Sequence, residues 1–142
     1  MATLDDVSRL AATLPGVVQR DDADRRIWSV GGKGFAWERP YSKADLRRFG
    51  EVEPPSGPIL AVRVGDLNDK ESVLAEDRPG FFTIPHFDGF AAVLVQLKRV
   101  RKSDLREAII DSWLTRAPRQ MAIDYLASRP RARPSATSAR KG

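Results

Sequence analysis

Residues 25–39 read Arg25-Arg26-Ile27-Trp28-Ser29-Val30-Gly31-Gly32-Lys33-Gly34-Phe35-Ala36-Trp37-Glu38-Arg39, two apolar-rich runs on either side of a glycine-rich tip. Glycine reaches positive φ without steric penalty, and aromatic and β-branched residues suit extended chain, so the stretch predicts a hairpin. Its strands should cover residues 25–30 and 35–39. Pairing Val30 with Phe35 would set Trp28 opposite Trp37 and put both pairs on one face, because side chains alternate with period two. Ile27, Ser29, Ala36 and Glu38 would form the other, more polar face. Trp28, Phe35 and Trp37 have the flat rings on which single-strand binders stack bases. A small domain must bury such side chains, however, and core packing is the preferred reading.

Outward from the hairpin, the N-terminal side carries a helix. Thr3 stands where a cap is needed, Asp5 and Asp6 face the positive end of the dipole, and Leu4, Val7, Leu10, Ala11 and Leu14 recur at helical spacing until Pro15-Gly16. A polar connection follows, with Asp21-Asp22-Ala23-Asp24 read as a solvated loop. On the C-terminal side, Ser42 caps a short helix through Phe49 that Gly50 ends, and Glu53 to Pro58 is a loop by composition. Ile59 to Val64 suits a central strand, Asp69 caps a helix carrying Val73 and Leu74, and Phe81 to Pro85 is extended. Asp88-Gly89 turns the chain into a second buried strand, Ala91 to Leu97. Ser103 then caps a helix bearing Leu105, Ile109, Ile110, Trp113 and Leu114, and Pro118 opens a last helix with Met121, Ile123 and Leu126. Strands arriving as hairpins between terminal helices predict an α+β fold, an antiparallel sheet packed on helices.

The chain of 142 residues fits one domain, residues 1–128, followed by a Pro-, Arg-, Ser- and Ala-rich segment, 129–142, expected to be a disordered basic tail. Zero cysteines exclude disulfides, thiolate metal sites and cysteine nucleophiles. The longest apolar run, Phe90 to Val95, is too short to span a bilayer, and the N-terminus has no cationic region followed by an apolar stretch. A soluble, cytoplasmic protein without a membrane partner is the expectation. Net charge is +5, but it is unevenly placed: residues 98–142 hold twelve Lys and Arg against four Asp and Glu, and residues 1–97 hold twelve against fifteen.

Candidate chemistry is sparse. His86 is the single histidine, so a metal site would lean on carboxylates such as Glu76, Asp77 or Asp88, and the simpler reading is a Pro-His-Phe-Asp-Gly loop that holds its own turn. No Gly-x-Ser-x-Gly is present to present a serine nucleophile. Gly31-Gly32-Lys33-Gly34 lacks both the spacing and the Ser or Thr of a phosphate loop. No catalytic residue, metal or cofactor is expected, and the chain reads as a non-enzyme. Lys98-Arg99-Val100-Arg101-Lys102 places four cations between a buried strand and a helix start, where they can meet a phosphate backbone. With Arg119 and the tail residues Arg129, Arg131 and Arg133 they form the candidate nucleic-acid-binding set, with DNA as partner and little sequence preference. The alternative is a protein-interaction or regulatory module using a sheet face or the Ile84 to Phe90 loop. A small-ligand site or unrecognised enzyme would instead need a concave pocket bringing His86 near carboxylates and polar groups. Oligomeric state and protein partners are left open.

Leu14-Pro15-Gly16, Val30 to Trp37, Ala75-Glu76-Asp77-Arg78-Pro79-Gly80-Phe81-Phe82-Thr83, Pro85-His86-Phe87-Asp88-Gly89-Phe90 and Asp111 to Arg119 follow one another in an order that resembles the MmcQ/YjbR family. The resemblance runs over about residues 4–127. It implies a CyaY-like fold, an antiparallel sheet flanked by helices, and a DNA-binding role through a double-wing surface. Relatives of the frataxin type bind iron through an acidic first helix. Here that helix has only Asp5 and Asp6, with Arg9 beside them, so iron is not expected.

Overall fold

A computed structural model describes residues 1–22 and 25–128. Helix α1 (Leu4–Ala12) begins where Thr3 fixes it: the Thr3 hydroxyl accepts from the Asp6 N–H at 3.1 Å, and the Asp6 carboxylate accepts from the Thr3 N–H at 2.9 Å. This reciprocal cap satisfies donors that a helix end leaves free. Ser42 and Asp45 open α2 (Lys43–Phe49) in the same way. Asp66, rather than Asp69, caps α3 (Leu67–Ala75); Asp69 lies in the first turn and donates its N–H to Asp66 Oδ1 at 2.8 Å. Ser103 likewise lies inside α4 (Lys102–Arg116), whose extended flanking residue is Arg101. The last helix is α5 (Arg119–Ser128).

The strands β1 (Val18–Asp22), β2 (Arg25–Val30), β3 (Lys33–Glu38), β4 (Ile59–Arg63), β5 (Phe81–Phe82) and β6 (Ala92–Gln96) form one sheet in the order β1-β2-β3-β4-β6-β5, every pair antiparallel. The fold is α+β. The stretch read as a polar connection is an edge strand: all five residues of β1 are exposed, its ladder to β2 and the Trp28 indole N–H, donating to Gln19 Oε1 at 3.1 Å, hold it, and no apolar alternation marks it.

The hairpin register also differs from expectation. Its loop is two residues, Gly31 and Gly32, both at positive φ (59° and 77°), so Val30 pairs with Lys33 and not with Phe35. A bulge then adds one residue to β3, and Trp28 pairs with Ala36 while Ile27 pairs with Trp37. Phe35 and Ala36 both turn to the face that carries Trp28, and Trp37 turns to the opposite one.

That division makes two apolar layers. On one face Trp28, Val30, Phe35, Leu60, Val62, Val93 and Val95 pack against α1 and α4, with Trp113 fully buried and its indole N–H donating to the Pro15 carbonyl at 3.0 Å. On the other face Ile59, Ala61, Ala92 and Leu94 are covered by the extended Ile84 and by Phe87 of the single 3-10 turn Pro85–Phe87, with Tyr41 and Phe49 alongside. Cover on both faces explains why β4 and β6 read as unbroken apolar runs.

The bulge is held by Ser112 of α4, which is fully buried. Its hydroxyl accepts from the Arg63 N–H at 2.9 Å and donates to the Phe35 carbonyl at 2.5 Å, bridging β3 and β4. Replacing Ser112 with alanine strands both backbone groups, and is expected to destabilise the fold by about 1–3 kcal/mol in chemical denaturation. A change indistinguishable from zero would remove the bridge from the account.

Tyr41 gives a pH-dependent check. Its hydroxyl donates to the Pro55 carbonyl at 2.8 Å, and burial, with Asp45 nearby, pushes its pKa up to about 12. The unfolded phenol ionises near 10, so the stabilisation from Tyr41 is complete below that pH and is lost as pH rises toward 12. The stability difference between wild type and Tyr41→Phe should therefore shrink across that interval.

Candidate functional site

Lys98, Arg99, Arg101 and Lys102 are all exposed on the turn from β6 into α4. The turn is firm, because the N–H groups of Arg99 and Val100 donate to the Gln96 carbonyl at 3.1 and 3.0 Å and Val100 is buried in the main core. The four cations fan out from it instead of meeting at one point. Lys98 leans toward the 56–57 loop, its stem over Gly57 and its Nζ 3.5 Å from Ser56 Oγ. Lys102 leans toward α1, 3.8 Å from Asp6 Oδ2, and Arg101 lies 3.9 Å from Asp104 Oδ2. Neither pair reaches hydrogen-bond distance, and both cationic side chains are 66% exposed, so these pairings are weak and open to exchange. Among the described residues Arg99 has no ion-pair partner.

Acids border this turn. Arg78, stacked 4.5 Å from the Phe81 ring centroid, lies 3.0 to 3.5 Å from carboxylate oxygens of Glu76, Asp104 and Glu107. The Thr3 N–H and the Arg9 guanidinium hold the Asp6 carboxyl below its usual pKa; partial burial opposes them, and Lys102 adds to the lowering. Arg119 stands beyond the other end of α4, a fifteen-residue helix about 22 Å long at 1.5 Å per residue. It is not brought to the turn. Arg129, Arg131, Arg133 and the rest of the expected tail lie outside the described residues, as does Asp24 of the acidic stretch.

The other sheet face holds a cluster that residue-by-residue reading passed over. Trp37 and Phe90 have ring centroids 6.3 Å apart, and the Arg63 guanidinium carbon is 5.2 Å from each. Arg63 Nε donates to the Gly34 carbonyl at 3.0 Å. Burial, with Arg116 nearby, lowers the pKa of this guanidinium, and among the described residues no carboxylate pairs with it. Next to it, Arg25, Trp37, Arg39, His86, Phe87 and Phe90 line a cleft of about 350 Å³. Arg39 lies 5.5 Å from the Phe87 ring centroid and 3.0 Å from the Asp45 carboxylate, whose side chain is 1% exposed. Burial would raise the pKa of Asp45, but the Ser42 N–H and Arg39 outweigh it and hold the carboxyl low.

His86 is exposed at the rim of this cleft rather than sealed in a loop. The loop holds its own turn, the Phe87, Asp88 and Phe90 N–H groups donating to the Ile84, Pro85 and Phe87 carbonyls at 2.9, 3.0 and 3.0 Å, and Lys70, 7% exposed, adds ammonium bonds to the carbonyls of Phe87 at 2.6 Å and Phe90 at 2.9 Å. Burial lowers the Lys70 pKa, with the Asp88 charge opposing the shift. A lysine in a polar helix gave no sequence signal of this role; only its distance from Phe87 and Phe90 in the fold reveals it. Among the described residues, no group of three or more His, Asp or Glu side chains could hold a metal ion.

The chain is 45% identical over 131 residues to proteins of Mycobacterium bovis and of two strains of Mycobacterium tuberculosis, each named only as an uncharacterized protein. The match spans 90% of this chain and 98% of each of theirs. No family model matches the chain, and no solved structure does.

Lys70→Met would remove one donor from each of the Phe87 and Phe90 carbonyls, which keep the Phe90 and Ala92 N–H groups at 3.0 and 2.8 Å, an expected loss of about 0.5–1.5 kcal/mol. The loss should be local as well as global: amide exchange at Asp88 and Phe90 should quicken tenfold or more by hydrogen-exchange measurement. Unchanged exchange there would show that the loop stands without the clamp.

Proposed function

We propose that this chain, which belongs to one family with these mycobacterial proteins, is a non-enzymatic protein that associates with nucleic acid by holding backbone phosphates, with little sequence preference. The observation that carries this reading is the rigid 97–102 turn, which presents four exposed cations, none hydrogen-bonded to a carboxylate among the described residues. Phosphates can therefore compete with Asp6 and Asp104 for these side chains at small energetic loss. The cations fan out, which suits an extended polyanion better than a single small anion. Membership of the MmcQ/YjbR group and a CyaY-like label form part of the same proposal, supported by the helix-flanked antiparallel sheet. So does a cytoplasmic setting; among the described residues, no helix is long and apolar enough to cross a membrane.

Four phosphate contacts correspond to a slope of about −3.6 for log affinity against log salt, so raising salt from about 50 to 200 mM should weaken duplex binding about a hundredfold. Fluorescence anisotropy on labelled duplex DNA measures this directly. Arg99→Glu with Arg101→Glu should weaken binding more than deletion of residues 129–142. If the deletion alone abolishes binding, the folded domain is not the binder.

A further inference from the structure

The cleft beside Trp37 shares no residue with the 97–102 turn, and its chemistry differs. Its walls are aromatic: Phe87 and Phe90 meet edge to face at 5.3 Å, and Trp37 flanks Phe90. The polar side chains among its described lining residues are the nitrogen-bearing ones of Arg25, Arg39 and His86, and no described carboxylate lines it. Arg39 is already engaged by Asp45 and by the Pro40 carbonyl, so it is a fixed strut. Arg25 is different: it is exposed and, among the described residues, has no ion-pair partner. Behind the rings the Arg63 charge adds a second positive source that no described carboxylate neutralises. The Lys70 clamp fixes the loop that supplies His86, Phe87 and Phe90, so a ligand would not have to order it.

An anion alone would leave the aromatic walls unused, and an uncharged ring would leave Arg25 unused. We infer that the cleft binds a flat ring carrying a phosphate, a nucleotide unit, with the ring against Trp37 and Phe90 and the phosphate at Arg25 and the His86 rim. A volume of about 350 Å³ accommodates one such unit. The guanidinium fork of Arg25 matches phosphate geometry, and ring stacking on aromatic side chains tolerates any base. The nucleotide can come from the free pool or from the end of a single strand.

The test uses the full chain at low salt and isothermal titration, with phenyl phosphate and inorganic phosphate as probes. Phenyl phosphate should bind at least tenfold tighter than inorganic phosphate. Arg25→Glu should weaken it tenfold or more, and Phe90→Ala should bring the two probes level. Phe90 touches Trp37 and Phe87, so Phe90→Leu, which keeps bulk but no ring, is measured beside it. Adenosine 5′-monophosphate and a short 5′-phosphorylated single strand separate the sources: tighter binding of the strand, lost in Arg25→Glu, identifies a chain end, and equal or weaker binding identifies the free nucleotide. Equal affinity of wild type for phenyl phosphate and inorganic phosphate, or no effect of Arg25→Glu, would overturn the inference. Arg99→Glu with Arg101→Glu should leave probe binding intact, so this site and the phosphate-backbone reading can fail separately.

Discussion

The hydroxyl of Ser112 couples the helical layer to the sheet, and much else is arranged around it. It reaches from the buried side of α4 between Phe35 and Arg63 and satisfies one backbone group on each strand. Buried backbone groups must be paired, so the extra residue in β3 can persist only where something replaces the missing ladder contact. The bulge, in turn, sends Phe35 and Ala36 into the main core and leaves Trp37 on the opposite face. Arg63 links the two sides: its N–H meets the helix, while its side chain braces Gly34 and passes between Trp37 and Phe90.

The second face depends on buried charges that are satisfied without ordinary surface pairing. Asp45 is almost fully enclosed, yet it caps α2 and receives Arg39, so its negative charge is matched by donors on both sides. Lys70 is enclosed with carbonyl oxygens as hydrogen-bond partners. A buried ammonium is penalised by desolvation, and two short bonds to carbonyls offset that penalty only in one geometry of the loop. The two faces therefore differ in kind, one a dry core under helices and the other a thinner apolar layer whose loop cover is pinned by charge.

Much of this architecture was legible in the chain. Thr3, Ser42 and Gly50 act by local rules and stand where those rules put them, and β4 and β6 show themselves as apolar runs. What escaped was non-local. The strand Val18–Asp22 has no apolar face, so only its partner β2 gives it a structure. Gly31 and Gly32 announced a reversal, but the loop is two residues and not four, and the extra residue at Phe35 is braced by Ser112, distant along the chain, so the expected register of Trp28 and Trp37 did not hold. The cations at 98–102 were visible as a run. Their directions were not, since Lys98 follows Gly57 and Lys102 follows Asp6, contacts that exist only after folding. The cleft draws on β2, β3 and the 85–90 loop, and no spacing in the chain joins them.

The outer edge of β1 has a consequence for how copies of the molecule behave toward one another. An open strand edge invites a neighbour to extend the ladder, and such growth leads to insoluble assemblies. If two copies met antiparallel and centred on Arg20, like charges would face each other directly across the new pair, with Val18 set against Asp22 at both ends. The same lack of apolar pattern that hid this strand in the sequence discourages crowded molecules from knitting their sheets together.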